Sequence, residues 1–262
     1  MPDYKIDSVL RVCVKNSITE AINSVQDGRT YLQRNNDNML LLEKLIGVYA
    51  PHVCLGCAAE EDRLLCLSCR AALAYVPSRC YRCRAVTKDF DVCVSCRRYT
   101  PLRRVLVLTH YDDLPKELLH HAKYERARSG IAEMAELMKP LLQFVPSDTV
   151  FVPVPTATSR VRQRGYDQAV GLAEVLSALA GTSCSHSLAR LGQAHQVGAG
   201  RKERLEHLQG AFRVTRPKEV AGKHIILVDD VLTTGATLET AARVLKKAGA
   251  KQVDAIVFSQ AG

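Results

Sequence analysis

The sequence has no apolar run approaching the roughly 20 residues needed to span a bilayer. Its start does not pair a basic stretch with an apolar one, as an export signal does. Internal repeats and low-complexity tracts are also lacking. Acidic residues are in deficit, 27 Asp and Glu against 36 Lys and Arg, for a net charge of +9. These features argue against a membrane-spanning or secreted protein, and 47% apolar content argues against wholesale disorder. The expectation is a cytoplasmic globular chain whose 262 residues make one large domain or two modest ones. The positive balance favours a nucleic acid or a phosphorylated ligand as partner.

Cysteine, by contrast, is abundant. Eight of the ten cysteines form four C-x2-C pairs: Cys54/Cys57, Cys66/Cys69, Cys80/Cys83 and Cys93/Cys96. In a cytosolic chain such clustering points to metal rather than to disulfides. A C-x2-C turn presents two thiolates to one ion, and two turns complete a tetrahedral zinc shell with no open position. Two structural zinc ions are therefore expected, held by sequential or by cross-braced pairs. Residues 54–96 are too few and too polar to build a core alone, so metal is expected to hold them folded. Cys13 and Cys184 stand apart and are read as small buried hydrophobes.

Residues 1–38 carry no net charge, and Val9, Val12, Ile18, Ile22 and Val25 fit one face of a helix. A second helix fits Met39 to Val48. From Val105 onward apolar strands alternate with helices. Val105–Thr109, Thr149–Val154, Ile225–Asp229 and Val253–Phe258 read as strands. Leu114–Tyr124, Ile131–Phe144, Gln168–Leu179 and Leu238–Ala248 read as helices. This alternation predicts an α/β fold, a parallel sheet covered by helices on both faces. The pair His120–His121 reads as solvated surface rather than a metal site.

The most informative segment is Ile225-Ile226-Leu227-Val228-Asp229-Asp230-Val231-Leu232-Thr233-Thr234-Gly235-Ala236-Thr237. Buried strand residues run into two carboxylates, then a small-residue turn, then a helix. Neighbours on a strand face opposite ways, so the two Asp share a ligand only if the strand ends there. The crevice at the carboxyl end of such a strand is where open α/β sheets bind ligands. Gly235 permits a tight turn, and the backbone N–H groups of Thr233–Thr237 can cradle a phosphate. Two carboxylates beside such a cradle suit the vicinal hydroxyls of a ribose 5-phosphate.

This segment resembles the phosphoribosyl-pyrophosphate motif of the type I phosphoribosyltransferases. Other stretches narrow the resemblance to the ComF family, competence-associated proteins related to those transferases. Val152-Pro153-Val154-Pro155, then Arg160, Arg162 and Arg164-Gly165-Tyr166-Asp167-Gln168, is similar to the family's VPVP…RGFNQ stretch, with Asp167 where Asn is usual. Gln196, Arg201, Arg204 and Gly210-Ala211-Phe212 are similar to a second stretch, with His207 in place of Asn. Tyr111-Asp112 and Lys123-Tyr124 match an early segment, and the paired C-x2-C module also belongs to the family.

The resemblance covers Met39 to Gly262 and implies a double zinc ribbon over 39–100 and a type I phosphoribosyltransferase-like domain over 101–262. Residues 1–38 fall outside it. Met39-Leu40-Leu41-Leu42-Glu43 looks like the usual family start, so the extension is read as a lineage-specific addition or a stretch preceding the native start. The resemblance assigns Asp229 and Asp230 to catalysis and Thr233, Thr234, Gly235, Ala236 and Thr237 to the phosphate. Arg160, Arg162 and Arg164 would neutralise the pyrophosphate of phosphoribosyl pyrophosphate, with magnesium bridging pyrophosphate and ribose oxygens. Gln196–Arg204 would form a cover that shuts out water.

Three functions fit this implied site. One is transfer of phosphoribosyl to an unknown acceptor, commonly a nucleobase. Another is a ligand-binding accessory role in DNA uptake, beside other DNA-uptake proteins. The third is a zinc-ribbon assembly module with a vestigial pocket. Weak binding of single-stranded DNA is expected at the ribbons. There Arg79, Arg82, Arg84, Arg97 and Arg98 would track phosphates while Tyr81 and Tyr99 stack bases.

Overall fold

Besides a two-stranded pair, His52–Val53 with Glu60–Glu61, seven segments among the described residues become strands, and five of them pair in parallel. In chain order they are β1 (Val105–His110), β2 (Thr149–Pro153), β3 (Ser183–Cys184), β4 (Leu188–Arg190), β5 (Phe212–Val214), β6 (His224–Leu232) and β7 (Gln252–Gln260). The parallel sheet has the order β1-β7-β6-β2-β3, while β4 and β5 pair with each other antiparallel. The helices are α1 (Leu67–Ala71), α2 (Val94–Arg97), α3 (Asp113–Tyr124), α4 (Ala127–Met138), α5 (Thr158–Arg164), α6 (Gln168–Ala180) and α7 (Ala236–Lys247). This computed structural model describes residues 52–124, 127–191 and 211–261. The helices expected in residues 1–48 and the cover expected at 196–204 lie outside the described residues. No helix among the described residues is long and apolar enough to cross a membrane.

Alternate strand residues feed two cores, one on each face of the sheet. Leu106, Leu108, Ile226, Val228, Ile256 and Phe258 pack with Leu118, Met134 and Leu172 of α3, α4 and α6. Val105, Val107, Ile225, Leu227 and Val257 pack on the other side with Leu238, Ala241 and Leu245 of α7. The parallel sheet covered on both faces is as the alternating pattern predicts. The helix expected over Ile131–Phe144 instead stops at Met138 and continues as a 3-10 turn, Lys139–Phe144. Pro140 is the reason, since it lacks the N–H that would continue the α ladder.

The cysteine-rich segment is packed into these cores rather than standing alone. Leu64, Leu65 and Leu73 of its first half join the core under α3, α4 and α6. Val76, Tyr81 and Val92 of its second half join the core on the α7 side. Between the halves, Val76 N–H donates to Leu108 O at 2.8 Å and Thr109 Oγ1 donates to Ala74 O at 2.7 Å. The two halves thus clasp β1, an edge strand of the parallel sheet. Covering an edge removes a template for unwanted strand pairing.

Candidate functional site

The two knuckle pairs repeat one geometry. Cys54 N–H bonds Ala59 O and Ala58 N–H bonds Cys54 O, at 2.8 and 2.9 Å; Cys80 with Ala85, and Arg84 with Cys80, do the same at 2.8 Å each. Ala58 and Arg84, each just after the second cysteine, both take a left-handed φ, 60° and 64°. Cys66 and Cys93 then cap the short helices α1 and α2, which carry the last cysteine of each set. The result is two clusters, Cys54/Cys57/Cys66/Cys69 and Cys80/Cys83/Cys93/Cys96, whose ligand atoms lie within 4.8 Å of one another. Pairing is therefore sequential, which decides against the cross-braced alternative.

The donor sets fit zinc. A tetrahedron with Zn–S near 2.3 Å has edges of about 3.8 Å. Cys57 and Cys66 sulfurs are 3.7 Å apart, and Cys83 and Cys93 sulfurs 3.5 Å. Cys184 belongs to neither set. Burial, and then the Glu174 charge, push its thiol up to about 11, as suits an inert cysteine.

At the carboxyl end of the sheet, β6 does not stop at Asp229 as expected but runs on to Leu232, paired with β7 throughout. Its other neighbour, β2, ends at Pro153 opposite Val228, which frees one side of Asp229 and Asp230. The strict alternation also breaks there: Val228 and Val231 both pack toward the α3–α4–α6 core. The two carboxylates are adjacent in space as in sequence, with Asp230 N–H donating to Asp229 Oδ1 at 2.9 Å. Burial, then the adjacent Asp230 charge, raises the Asp229 carboxyl well above its ordinary pKa. Asp230 is held by Lys123 of α3, with Nζ 2.7 Å from Oδ2.

Thr233, Thr234 and Gly235 form the turn from β6 into α7. Gly235 caps the helix at φ +80°, leaving the N–H groups of Ala236 and Thr237 in its first turn. A Cβ on Gly235 would sit 2.6 Å from Cε2 of Tyr81, so the aromatic ring of the second knuckle lies over the turn. The Tyr81 hydroxyl is 2.6 Å from Glu239 Oε1 and 2.7 Å from Thr100 Oγ1. With one proton it donates to the carboxylate and accepts from the threonine. Arg82 and Arg243 bind the same carboxylate, the latter at 3.1 Å.

This overturns the expectation that Tyr81 stacks bases, since the residue is only 6% exposed and its hydroxyl is engaged. Tyr99 is 55% exposed, and the Arg98 guanidinium lies 4.7 Å from its ring centroid. His121 is likewise buried rather than solvated, although His120 is exposed.

The loop after β2 brings α5 to the same end of the sheet. Asp167 accepts from Thr156 N–H at 3.0 Å and caps α6 through Ala169 N–H at 3.1 Å. An aspartate where asparagine is usual therefore ties that loop to a helix start. Of the arginines on α5, Arg160 and Arg164 are one turn apart and share a face, whereas Arg162 lies on another. The three do not converge on one point.

Lys123 stands in the sequence only as part of the segment Lys123-Tyr124, with no role evident there. Its signal was a lone cation near a helix C-terminus, which chain order does not connect to an aspartate more than a hundred residues later. Glu239 was missed because a carboxylate in a first helical turn reads as an ordinary dipole partner.

A family model described as a phosphoribosyl transferase domain matches residues 143–262. The chain is 33% identical over 204 residues to the competence protein ComFC of Bacillus subtilis (strain 168), covering 72% of this chain and 81% of that protein. It is 32% identical over 214 residues to the DNA utilization protein YhgH of Salmonella typhi, covering 77% and 87%. Among solved structures, a glutamine phosphoribosylpyrophosphate amidotransferase from B. subtilis aligns over 53% of this chain and 30% of its own, with 18% identity and a TM-score of 0.39.

Proposed function

Since the chain belongs to the ComF family of competence-associated, phosphoribosyltransferase-like proteins, we propose that it binds phosphoribosyl pyrophosphate with magnesium and handles single-stranded DNA in the cytoplasm during DNA uptake. The observation that carries the ligand half is the run from Asp229 and Asp230 through a three-residue turn into a glycine-capped helix at the open end of a parallel sheet. Asp229 and Asp230 accept the two ribose hydroxyls. The N–H groups after Gly235, with the Thr233, Thr234 and Thr237 hydroxyls, hold the 5-phosphate. Arg160 and Arg164, on one face of α5, meet the pyrophosphate, and Arg162 adds to the surrounding positive field.

Asp229 and Asp230 are the carboxylates that would face a magnesium ion arriving with the ligand, and the ion would supply charge neutralisation for the ligand's oxygens. The relatives named for competence and DNA utilization supply the DNA setting, and other DNA-uptake proteins are the expected partners. The exposed Tyr99 with Arg98 offers one aromatic ring beside a cation for a single strand.

A second reading, active transfer to a nucleobase, is favoured by the raised proton affinity of Asp229. A carboxylate with a poorly solvated charge is stabilised by positive charge growing at the ribosyl carbon. In that step the bond from C1 to pyrophosphate oxygen breaks, the acceptor nitrogen bonds C1, and the acceptor gives up its proton. The test is pyrophosphate release from phosphoribosyl pyrophosphate with a panel of bases. Base-dependent release identifies a transferase; ligand binding without release identifies the accessory role.

A further inference from the structure

A cavity of about 300 Å³ lies between the second knuckle and the carboxyl ends of β1 and β7. That volume is at the small end for a ligand site. Phe90 and Val107 contribute apolar wall, and Arg79, Arg84 and His110 contribute donors. No carboxylate lines it. Tyr81 forms part of the wall, so one ring separates this cavity from the Gly235 turn.

Gln260, the last residue of β7, also lines the cavity and is 3% exposed. Its Nε2 is buried and has no hydrogen-bond partner. A buried amide donor left unpaired is costly, so such a group in a residue of a cavity wall favours an acceptor supplied by a ligand. Arg84 holds a left-handed φ of 64°, and its Nη2 stands 3.5 Å from the carbonyl of Ala261, the residue after Gln260. Arg84 is thus tied to the residue after Gln260, and Arg79, on the same cavity wall, is exposed.

We propose that this cavity is a nucleotide site: it admits one base against the apolar wall, with a base acceptor bonding Gln260 Nε2 and the attached phosphate held by Arg79 and Arg84. It deepens the reading that single-stranded DNA is a partner and rests on that reading, but it is independent of the aspartate site. A free nucleotide has the same chemistry as one unit of a strand, and the test separates the two sources.

The probes are oligothymidylate, an abasic oligonucleotide of equal length, and thymidine 5′-monophosphate, titrated into the full chain at fixed salt. Oligothymidylate is expected to bind the wild type at least tenfold more tightly than the abasic strand. Gln260→Leu should lower oligothymidylate affinity about five- to tenfold, leave the abasic strand unchanged, and leave phosphoribosyl pyrophosphate binding unchanged. Arg79→Glu, at an exposed position that does not threaten folding, should weaken oligothymidylate by at least tenfold. Mononucleotide binding lost with Gln260→Leu, without any oligothymidylate binding, supports the site while contradicting DNA as partner. Oligothymidylate binding that neither variant changes overturns the site and leaves the DNA reading standing. Binding of neither thymidine probe to the wild type overturns both.

Discussion

The hydroxyl of Tyr81, in the second cysteine knuckle, lies 2.6 Å from the carboxylate of Glu239, in the first turn of the helix that follows the Gly235 turn. Arg82 and Arg243 close on the same carboxylate. The ring of Tyr81 meanwhile lies against Gly235. One residue thus joins a cysteine cluster to the backbone expected to hold a phosphate. The first knuckle module makes a parallel attachment on the other face, Arg70 Nε to Glu133 Oε1 at 2.7 Å.

Tyr81→Phe should therefore lower stability by about 1.5–3 kcal/mol through loss of the hydroxyl's bonds to the charged Glu239 and to Thr100. Glu239→Ala should cost more, because Arg82 and Arg243 lose their partner together with Tyr81. Urea unfolding of the three proteins checks the order: wild type, then Tyr81→Phe, then Glu239→Ala.

Gly235→Ala introduces a Cβ against the Tyr81 ring at a backbone conformation that L side chains rarely adopt. The expected loss is about 1–3 kcal/mol, in the range of backbone strain and overpacking. The same substitution in a Tyr81→Ala background should cost less, because only the φ strain remains. A double-mutant cycle measures the difference, and full additivity would show that the ring does not press on the turn.

Asp229 gives a pH signature. Its folded pKa is raised, so the protonated form favours the folded state and ionisation costs stability. That cost is absent below the ordinary carboxylate pKa, grows as pH rises through the raised value, and persists above it. Asp229→Asn should raise the thermal midpoint of the ligand-free protein at pH 7, by about 2–4 °C for each kcal/mol relieved. The gain should vanish on acidification below the ordinary carboxylate range. A midpoint difference that does not depend on pH would contradict the assignment.

The two cysteine sets predict two zinc ions per chain. Chelation should release eight titratable thiols and uncover the β1 edge, with aggregation following. Elemental analysis finding less than one zinc per chain would contradict this.

Four of the five parallel strands and the long helices between them were legible because their apolar runs repeat the α/β pattern, whereas the short β3, β4 and β5, of two or three residues each, carry too little pattern to be read. The turn from β6 into α7 was legible because Asp229, Asp230 and Gly235 fall within one seven-residue run. Lys123, Glu239 and Gln260 were not, because their roles depend on partners brought close only by the sheet order. Tyr81 was misread for the same reason. An aromatic among arginines looks like a nucleic-acid platform until the knuckle is seen to face inward. The break in alternation across Asp229 and Asp230 also had no sequence signal, since both residues are polar and fit either face.

Asp229, Asp230 and the Gly235 turn are proposed to hold a ribose 5-phosphate. Calorimetric titration of phosphoribosyl pyrophosphate with magnesium into the wild type and into Asp229→Asn/Asp230→Asn tests it most directly. The account predicts saturable one-to-one binding to the wild type and at least a hundredfold loss in the double variant, with both proteins retaining their zinc. Undiminished binding by the double variant would contradict it.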